Sequence, residues 1–141
     1  MNLLRSLGLA GCLLPLAAWA DVGGATGDYV RIPAGAFVSA LKYEDVNGAV
    51  RIDAFEMMRR PVTNAEFAAF VGKHPAWQRD RVKPVFAGPD YLGHWATPAR
   101  VGTAAQGAQP VTRVSWFAAA AYCEAQGARL PRWHEWEYVA A

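Results

Sequence analysis

The closing stretch RVSWFAAAAYCEAQGARLPRWHEWEYVAA, residues 113–141, has the pattern of two short helices joined by a turn. Ser115 is placed to cap the first helix, because a serine hydroxyl accepts a hydrogen bond from a free N–H of the first turn. Helical spacing then predicts a core-facing side made of Trp116, Ala119 or Ala120, and Cys123. Cys123 is therefore predicted to pack in the core.

The second helix of this stretch is predicted from the residues that end the first helix and begin the next. Gly127 is suited to end the first helix, since glycine adopts the left-handed conformation that follows many helix ends. Pro131 is suited to open another helix at Arg132. Its inward side is predicted to hold Trp133, Trp136 and Ala140.

A third helix is predicted in RRPVTNAEFAAFVGKHP, residues 59–75. Thr63 and Glu66 have the spacing of a capping box, in which each side chain accepts a hydrogen bond from the other residue's backbone N–H. The predicted buried stripe is Phe67, Phe70 and Val71. Gly72 and Pro75 are predicted to end the helix.

Two short strands are predicted upstream, in YVRIPAGAFVSA (residues 29–40) and AVRIDAF (residues 49–55), because apolar and charged residues alternate in both. In the first, a turn at Pro33-Ala34-Gly35 is predicted to follow the alternation. The Asn47-Gly48 pair between them favours a hairpin. Residues 76–112 have no sustained period, which predicts irregular loops packed into the core through their aromatic side chains. These are Trp77, Phe86, Tyr91 and Trp95.

The N-terminus has the layout of a secretory signal peptide, spanning residues 1–20 with cleavage after Ala20. A flexible lead-in is predicted over residues 21–28, and a domain over residues 29–141. The protein is therefore expected to be exported, and periplasmic. The alternative is a lipoprotein, because Leu9-Ala10-Gly11-Cys12 resembles a lipobox that would anchor the chain through Cys12.

Composition excludes several classes of protein. The 141 residues are 53% hydrophobic and 18% charged with a formal net charge of +2, which is typical of a globular domain. No membrane association is expected after signal cleavage, and nothing indicates nucleic acid binding. The Arg59-Arg60 pair and the Arg79, Arg81, Lys83 group are interpreted as solvated faces.

The sequence offers no residue pattern typical of a catalytic or metal site, so no catalytic, cofactor-binding or metal-binding residue is predicted. Loss of Cys12 with the signal would leave Cys123 as the single cysteine, which rules out an internal disulfide. The histidines, His74, His94 and His134, lack metal-ligand spacing. Glu135 and Glu137 are predicted to point to different faces of their helix.

Several motifs together give the chain a specific resemblance. It is similar, over residues 29–141, to the formylglycine-generating enzyme family, also called sulfatase-modifying factors. The matching motifs are Val62-Thr63-Asn64, Val114-Ser115-Trp116, Ala119, Tyr122-Cys123, Gly127, Arg129-Leu130-Pro131 and Glu135-Trp136-Glu137-Tyr138. The resemblance implies an α+β fold that is a variant of the C-type lectin fold, with little regular secondary structure and here apparently incomplete.

The resemblance also implies chemistry. Founding members of the family use copper and oxygen to oxidise a cysteine of a client sulfatase to formylglycine, and relatives use non-haem iron. The family's redox cysteines and most metal-binding residues lie in a second half that would follow Ala141, so copper, iron or calcium is implied only for a complete domain. Cys123 matches a helix cysteine that is structural in the family.

Two functional hypotheses follow. The first is a sulfatase-modifying factor whose oxidation chemistry depends on that second half, so the enzymatic status of the chain is open. The alternative is a non-catalytic lectin-like binding or maturation module for a periplasmic metalloenzyme or redox protein, with a client or partner in the cell envelope. A third interpretation is a truncated form of the domain.

Arg132 stands where the family usually has a threonine cap, so the last helix is expected to lack its usual N-cap.

Overall fold

The computed structural model describes residues 28–40 and 48–141. The predicted signal peptide, the lipobox with Cys12, residues 21–27 of the predicted lead-in and Asn47 lie outside the described residues. Asp28, the last residue of the predicted lead-in, forms an ion pair with Arg59 at 2.9 Å and also accepts the Arg59 backbone N–H.

An antiparallel ribbon of four short strands begins the described part of the chain. Its strands are β1 (Tyr29–Ile32), β2 (Gly35–Val38), β3 (Ala49–Ile52) and β4 (Phe55–Met58). β1 pairs with β4 and β2 pairs with β3. The residue numbers of every cross-strand pair have the same sum, from Tyr29 opposite Met58 to Val38 opposite Ala49. The four strands therefore form one long hairpin in a single register.

The prediction of two strands joined as a hairpin is confirmed, but each strand is broken in two. Pro33 lies at the break in the first strand, and proline has no N–H to donate to a ladder. Gly48, which precedes β3, has a φ of +114°, a conformation that glycine adopts without steric cost.

Helix α1 (Asn64–Lys73) follows the ribbon and matches its prediction closely. The capping box is formed: the Thr63 N–H donates to the Glu66 carboxylate at 2.8 Å, and the Glu66 N–H donates to the Thr63 hydroxyl at 3.3 Å. Phe67, Phe70 and Val71 are buried, as predicted. The prediction that Gly72 ends the helix is wrong, because it lies inside α1, where one glycine is tolerated. The helix ends before Pro75, which opens a single 3-10 turn.

The core lies where α1 meets the irregular segment and the next long helix. Phe67 stacks on Tyr122 with ring centroids 5.6 Å apart and meets Trp95 edge-on at 6.3 Å. Tyr91 and Trp95 are buried, as the sequence predicts, but Trp77 is half-buried and Phe86 is exposed. The segment also contains a short helix that was not predicted, α2 (Ala104–Gly107).

Helix α3 (Trp116–Ala125) begins where predicted, with the Ser115 hydroxyl accepting the Ala118 N–H at 3.0 Å. The prediction of its inward side is wrong: Trp116 is exposed, and Ala118 and Tyr122 are the buried residues. The physical reason is that a run of four alanines defines no apolar side, so the contact of Tyr122 with α1 sets the rotation of the helix. Cys123, at the edge of that buried side, is half-buried against the core.

The end of α3 has the geometry predicted from Gly127. This residue has a φ of +70°, and its N–H donates to the Glu124 carbonyl. The Ala128 N–H donates to the Cys123 carbonyl at 2.9 Å. These two bonds form a Schellman motif, which satisfies carbonyls that a helix end leaves free.

Helix α4 (Trp133–Ala140) begins after Arg132, as predicted, and the expected absence of a side-chain N-cap is confirmed. The prediction that Trp133, Trp136 and Ala140 face inward is wrong, because all three are exposed and Glu135 is buried instead. The reason is the ion pair between Glu135 and Arg129, which turns the side of α4 that carries Glu135 toward the rest of the protein.

The described residues thus form an α+β fold, in agreement with the sequence prediction. Within residues 28–40 and 48–141, no helix has the length and apolar character needed to cross a membrane.

Candidate functional site

Two adjoining, open cavities of about 250 and 360 Å³ lie on the described surface. They share Gly88, Pro89 and Tyr91, and together we name them the 88–91 groove. The other residues of the smaller cavity are Asp90, Arg113, Val114 and Ser115. The other residues of the larger cavity are Arg79, Val82, Pro84 and Ala87.

The wall of this groove has unusual backbone geometry. Leu92 and Arg113 have φ values of 49° and 54°, which cost about 1–3 kcal/mol each for residues other than glycine. The Leu92 N–H donates to the Arg113 carbonyl at 2.9 Å, and the Arg79 guanidinium donates to the carbonyls of Leu92 and Trp95 at 2.9 and 3.3 Å. Three chain segments are thereby held together. Neither positive φ has a sequence signal, so sequence analysis missed both.

The 88–91 groove carries four polar side chains, those of Asp90, Tyr91, Arg113 and Ser115, besides that of Arg79 in its wall. The Asp90 and Arg113 side chains are exposed, so each offers a charge to a ligand. Burial raises the pKa of Tyr91 to about 12, and its hydroxyl donates to the Trp77 carbonyl at 2.9 Å. The Ser115 hydroxyl already accepts the Ala118 N–H, so it serves as the α3 cap. None of these groups forms the nucleophile and base pair that covalent catalysis requires.

Cys123 lies on α3, half-buried against the core. Burial raises the pKa of its thiol, and the neighbouring Glu124 carboxylate raises it further. Since the thiolate is the reactive form, this environment makes Cys123 a poor nucleophile and a poor metal ligand. The position of this cysteine agrees with the structural role that the family resemblance implies.

The three histidines have separate surroundings. His74 packs against the Phe70 ring at 4.9 Å, and His94 lies 3.4 Å from the Asn64 side-chain oxygen. Burial lowers the pKa of His94, with Arg113 and Arg79 adding to the effect. The His134 Nδ1 is buried 3.8 Å from the Glu137 carboxylate and has no hydrogen-bond partner among the described residues.

Glu135 and Glu137 contact different parts of the chain, which confirms that they point to different faces of α4. The Arg129 guanidinium donates to both oxygens of Glu135 at 2.7 and 2.6 Å and holds the pKa of that carboxyl at about 2. Glu137 accepts hydrogen bonds from the Ser39 hydroxyl and the Ala40 N–H at 2.8 and 2.6 Å.

The described side chains do not form a metal site. In the part of the chain that the structure describes, no three His, Cys, Asp or Glu residues are grouped so that they could hold a metal ion. A copper site built on two cysteines does not fit here, because Cys123 is the single free cysteine of the described residues and is half-buried. No catalytic step through a metal is therefore assigned to these residues.

Three of the basic residues interpreted as solvated faces have partners in the structure, while Arg81 and Lys83 are exposed. Arg59 pairs with Asp28, and Arg60 pairs with Glu66 at 2.7 Å. The Arg60 guanidinium is the main cause that lowers the pKa of Glu66 to about 2. Arg79 is engaged with main-chain carbonyls in the wall of the 88–91 groove.

Comparison with known proteins identifies the family of this chain. Residues 20–141 match the model of the sulfatase-modifying factor enzyme 1-like domain. The chain belongs to the sulfatase-modifying factor family. It is 34% identical to a formylglycine-generating enzyme from Streptomyces coelicolor, in a match that covers 79% of this chain and 46% of that protein.

Two further relatives are hercynine oxygenases. A hercynine oxygenase from Mycolicibacterium smegmatis is 34% identical over 84% of this chain and 32% of its own length. The hercynine oxygenase of Mycolicibacterium thermoresistibile is also 34% identical, over 72% of this chain and 25% of its own length. The chain thus spans between a quarter and just under half the length of the curated relatives it matches.

Proposed function

We propose that this chain is the N-terminal scaffold of a sulfatase-modifying factor that oxidises a cysteine of a client protein to formylglycine. The observation that carries the proposal is the match of residues 20–141 to the sulfatase-modifying factor enzyme 1-like domain, together with 34% identity to a formylglycine-generating enzyme. In this proposal the described residues position the client, and the redox cysteines and the copper belong to the remainder of the family domain. The half-buried Cys123 supports this division of roles.

Mass spectrometry of a sulfatase-motif peptide tests the oxidation. The complete gene product is incubated with the peptide, copper and oxygen, and formation of the aldehyde in place of the thiol is the expected result. A matched reaction with the peptide's cysteine replaced by serine gives the background. An unmodified peptide in the presence of copper and oxygen would contradict the proposed activity.

We propose a variant of the C-type lectin fold for the complete domain. The support is the family membership together with the small amount of regular structure between residues 78 and 115. An experimental structure of the complete gene product tests it, and a different chain topology would contradict it.

We also propose export to the periplasm through removal of residues 1–20. The support is the sequence pattern alone. The intact mass of the protein recovered from the cell envelope should correspond to a chain that begins at Asp21. A Cys12→Ser variant separates the lipoprotein alternative, because only a lipoprotein would lose its anchor with this change.

The alternative function, a binding or maturation module in the cell envelope, is favoured by one observation. The 88–91 groove combines exposed charges at Asp90 and Arg113 with the exposed aromatic Trp116 next to its Ser115 wall. Such a surface can bind a partner without any redox group. Co-purification of one envelope protein with the wild type, lost with Arg113→Ala and retained with the distant Arg51→Ala, would support this alternative.

A further inference from the structure

Three basic side chains converge on one turn, residues 92–95, at the edge of the 88–91 groove. The Arg79 guanidinium donates to the carbonyls of the first and last residues of this turn at 2.9 and 3.3 Å. The Arg113 Nη1 lies 3.7 Å from the position that a Cβ on Gly93 would occupy. Burial lowers the pKa of the neighbouring His94, and the charges of Arg113 and Arg79 lower it further, so both guanidiniums lie near its imidazole. We name Arg79, His94 and Arg113 the basic cluster.

The charge of the basic cluster is not neutralised by residues 28–40 and 48–141. Arg113 is exposed, and its guanidinium has no hydrogen-bond or ion-pair partner within these ranges. Asp90 lines the same cavity as Arg113, but the two side chains form no ion pair. His94 is also exposed, and its Nε2 lies 3.4 Å from the side-chain oxygen of Asn64, which is uncharged. Arg113 and His94 can therefore donate to a ligand.

The backbone at Arg113 is strained. Its φ of 54° lies in the left-handed region, which glycine adopts without steric cost. Residues other than glycine that are held in this conformation are concentrated at ligand-binding and active sites. The left-handed turn itself needs no guanidinium, so local folding does not explain an unpaired positive charge on the wall of a cavity of about 250 Å³.

We propose that Arg113 and His94 bind an oxyanion, the carboxylate or phosphate group of a ligand, at the edge of the smaller cavity of the 88–91 groove. The planar guanidinium matches two oxygens of such a group, and an imidazole N–H adds a further donor. Arg79 holds the turn through its two carbonyl contacts and adds positive charge. The proposal does not depend on the oxidation of a client cysteine, so an inactive protein would leave it intact.

NMR titration of the full chain tests the site with two probes at constant ionic strength. Inorganic sulfate represents a free tetrahedral oxyanion and keeps its charge across the pH range, and N-acetyl-aspartate amide represents a carboxylate carried by a polypeptide. Saturable shifts of the His94 ring and the Gly93 amide are expected, with the His134 ring on α4 unchanged. The probe that binds more tightly identifies the source of the oxyanion. No saturable shift with either probe, or equal shifts at His134, would overturn the proposal.

Substitutions at position 113 separate binding from folding. Arg113→Gln should weaken the binding of the tighter probe by about tenfold or more, because charge-assisted hydrogen bonds are lost. Arg113→Gly should lose binding to the same extent without loss of thermal stability, since glycine relieves the left-handed strain. Arg113→Lys should retain part of the affinity. Arg51→Gln, at an exposed arginine of β3, is the matched control and should bind as the wild type does. Wild-type affinity in Arg113→Gln, or equal weakening by Arg51→Gln, would overturn the proposal.

The two neighbouring charged groups give readouts that a purely structural Arg113 would not change. Asp90→Asn removes a negative charge from the same cavity and should tighten sulfate binding several-fold. Sulfate should also bind more tightly as pH falls and His94 gains a proton, and His94→Gln should remove this pH dependence between pH 5 and 8 while binding through Arg113 persists. Binding that does not tighten in Asp90→Asn, or a pH dependence that survives in His94→Gln, would place the anion elsewhere and overturn the proposal.

Discussion

Asn64 should contribute more to stability than any other polar side chain in the described core. It lies at the first position of α1 and is 3% exposed. Its side-chain oxygen accepts the Trp95 indole N–H at 2.9 Å, which fixes the orientation of the amide. Its NH₂ group donates to the carbonyls of Gln106 and Gln109 at 3.0 and 3.2 Å. One side chain thus joins α1 to two parts of the irregular segment.

The expected cost of Asn64→Ala is about 2–4 kcal/mol. Three hydrogen bonds are lost at about 0.5–1.5 kcal/mol each, and the buried indole N–H is left without its partner. For a domain of this size the melting temperature should fall by roughly 10 °C. Urea and thermal unfolding followed by circular dichroism measure the change, and Gln126→Ala at a helix end is a control expected to change little.

Asn64→Asp gives a sharper test because its effect should depend on pH. A carboxylate still accepts from Trp95, but its second oxygen faces the carbonyl oxygens of Gln106 and Gln109. Burial and these oxygens raise the folded-state pKa above the unfolded value of about 3.9. The destabilisation relative to wild type is therefore complete above the folded-state pKa and shrinks as pH falls toward the unfolded value.

The two variants together can refute the reasoning. Asn64→Ala should cost the same at every pH at which the wild type is folded, since alanine does not titrate. Asn64→Asp should recover part of its lost stability in acid, where the protonated carboxyl donates one O–H in place of the two N–H groups of the amide. A loss below 0.5 kcal/mol for Asn64→Ala, about the value of a single weak hydrogen bond, or an Asn64→Asp penalty independent of pH, would show that these bonds contribute little.

Three further predictions follow from other contacts. Glu135→Gln should lower stability by roughly 2 kcal/mol at pH 7, because the ion pair with Arg129 depresses the pKa of the Glu135 carboxyl in the folded state. The difference from wild type should vanish as pH falls from 4.5 toward 2, and Glu124→Gln is the exposed control. Gly35→Ala should lower the free energy of unfolding by about 1–3 kcal/mol, since the added Cβ collides with the Tyr138 hydroxyl. Tyr138→Phe in the same protein should recover part of the loss, and full stability of the single variant in urea unfolding would contradict the contact. Cys123 should react slowly with iodoacetamide in the folded chain and rapidly in urea, with an alkylation pKa above that of an ordinary cysteine; rapid alkylation of the folded chain would contradict its burial.

Local features of this fold could be predicted from the sequence because their causes are local. The Thr63–Glu66 box, the Ser115 cap and the left-handed Gly127 each depend on residues within one helical turn. The hairpin was predictable for the same reason, since period-two alternation identifies both of its halves. The Pro33-Ala34-Gly35 turn that interrupts the first half was predictable as well, but the structure was needed to show that pairing resumes at Gly35.

The errors concern contacts between distant parts of the chain. The rotation of α4 depends on Phe37, about a hundred residues earlier, and on the Arg129 side chain, which captures Glu135. Helical periodicity combined with hydrophobicity predicts that Trp133 and Trp136 are buried. It cannot take into account the ion pair of Glu135 with Arg129, which lies outside the helix. The positive φ values of Leu92 and Arg113 likewise occur where separate segments meet: the Leu92 N–H donates to the Arg113 carbonyl, and Arg79 donates to the Leu92 carbonyl. No local sequence pattern therefore predicts the 88–91 groove.

The residues that identify the family are mainly residues that hold this part of the fold together. In Val62-Thr63-Asn64, Thr63 caps α1 and Asn64 binds two loops. In Val114-Ser115-Trp116, the serine caps α3 and the tryptophan is exposed.

The same holds for the motifs near the end of the chain. Arg129 and Glu135, from two different motifs, form one ion pair, and Tyr138 fits against Gly35. Selection for folding is sufficient to explain each of these residues, whether or not the protein has an oxidase activity. The motifs of this region therefore identify the fold of this part of the domain. Since one fold can support many reactions, the reaction must be decided by residues that contact the client thiol. An assay for formylglycine consequently tests something that the family match alone does not determine.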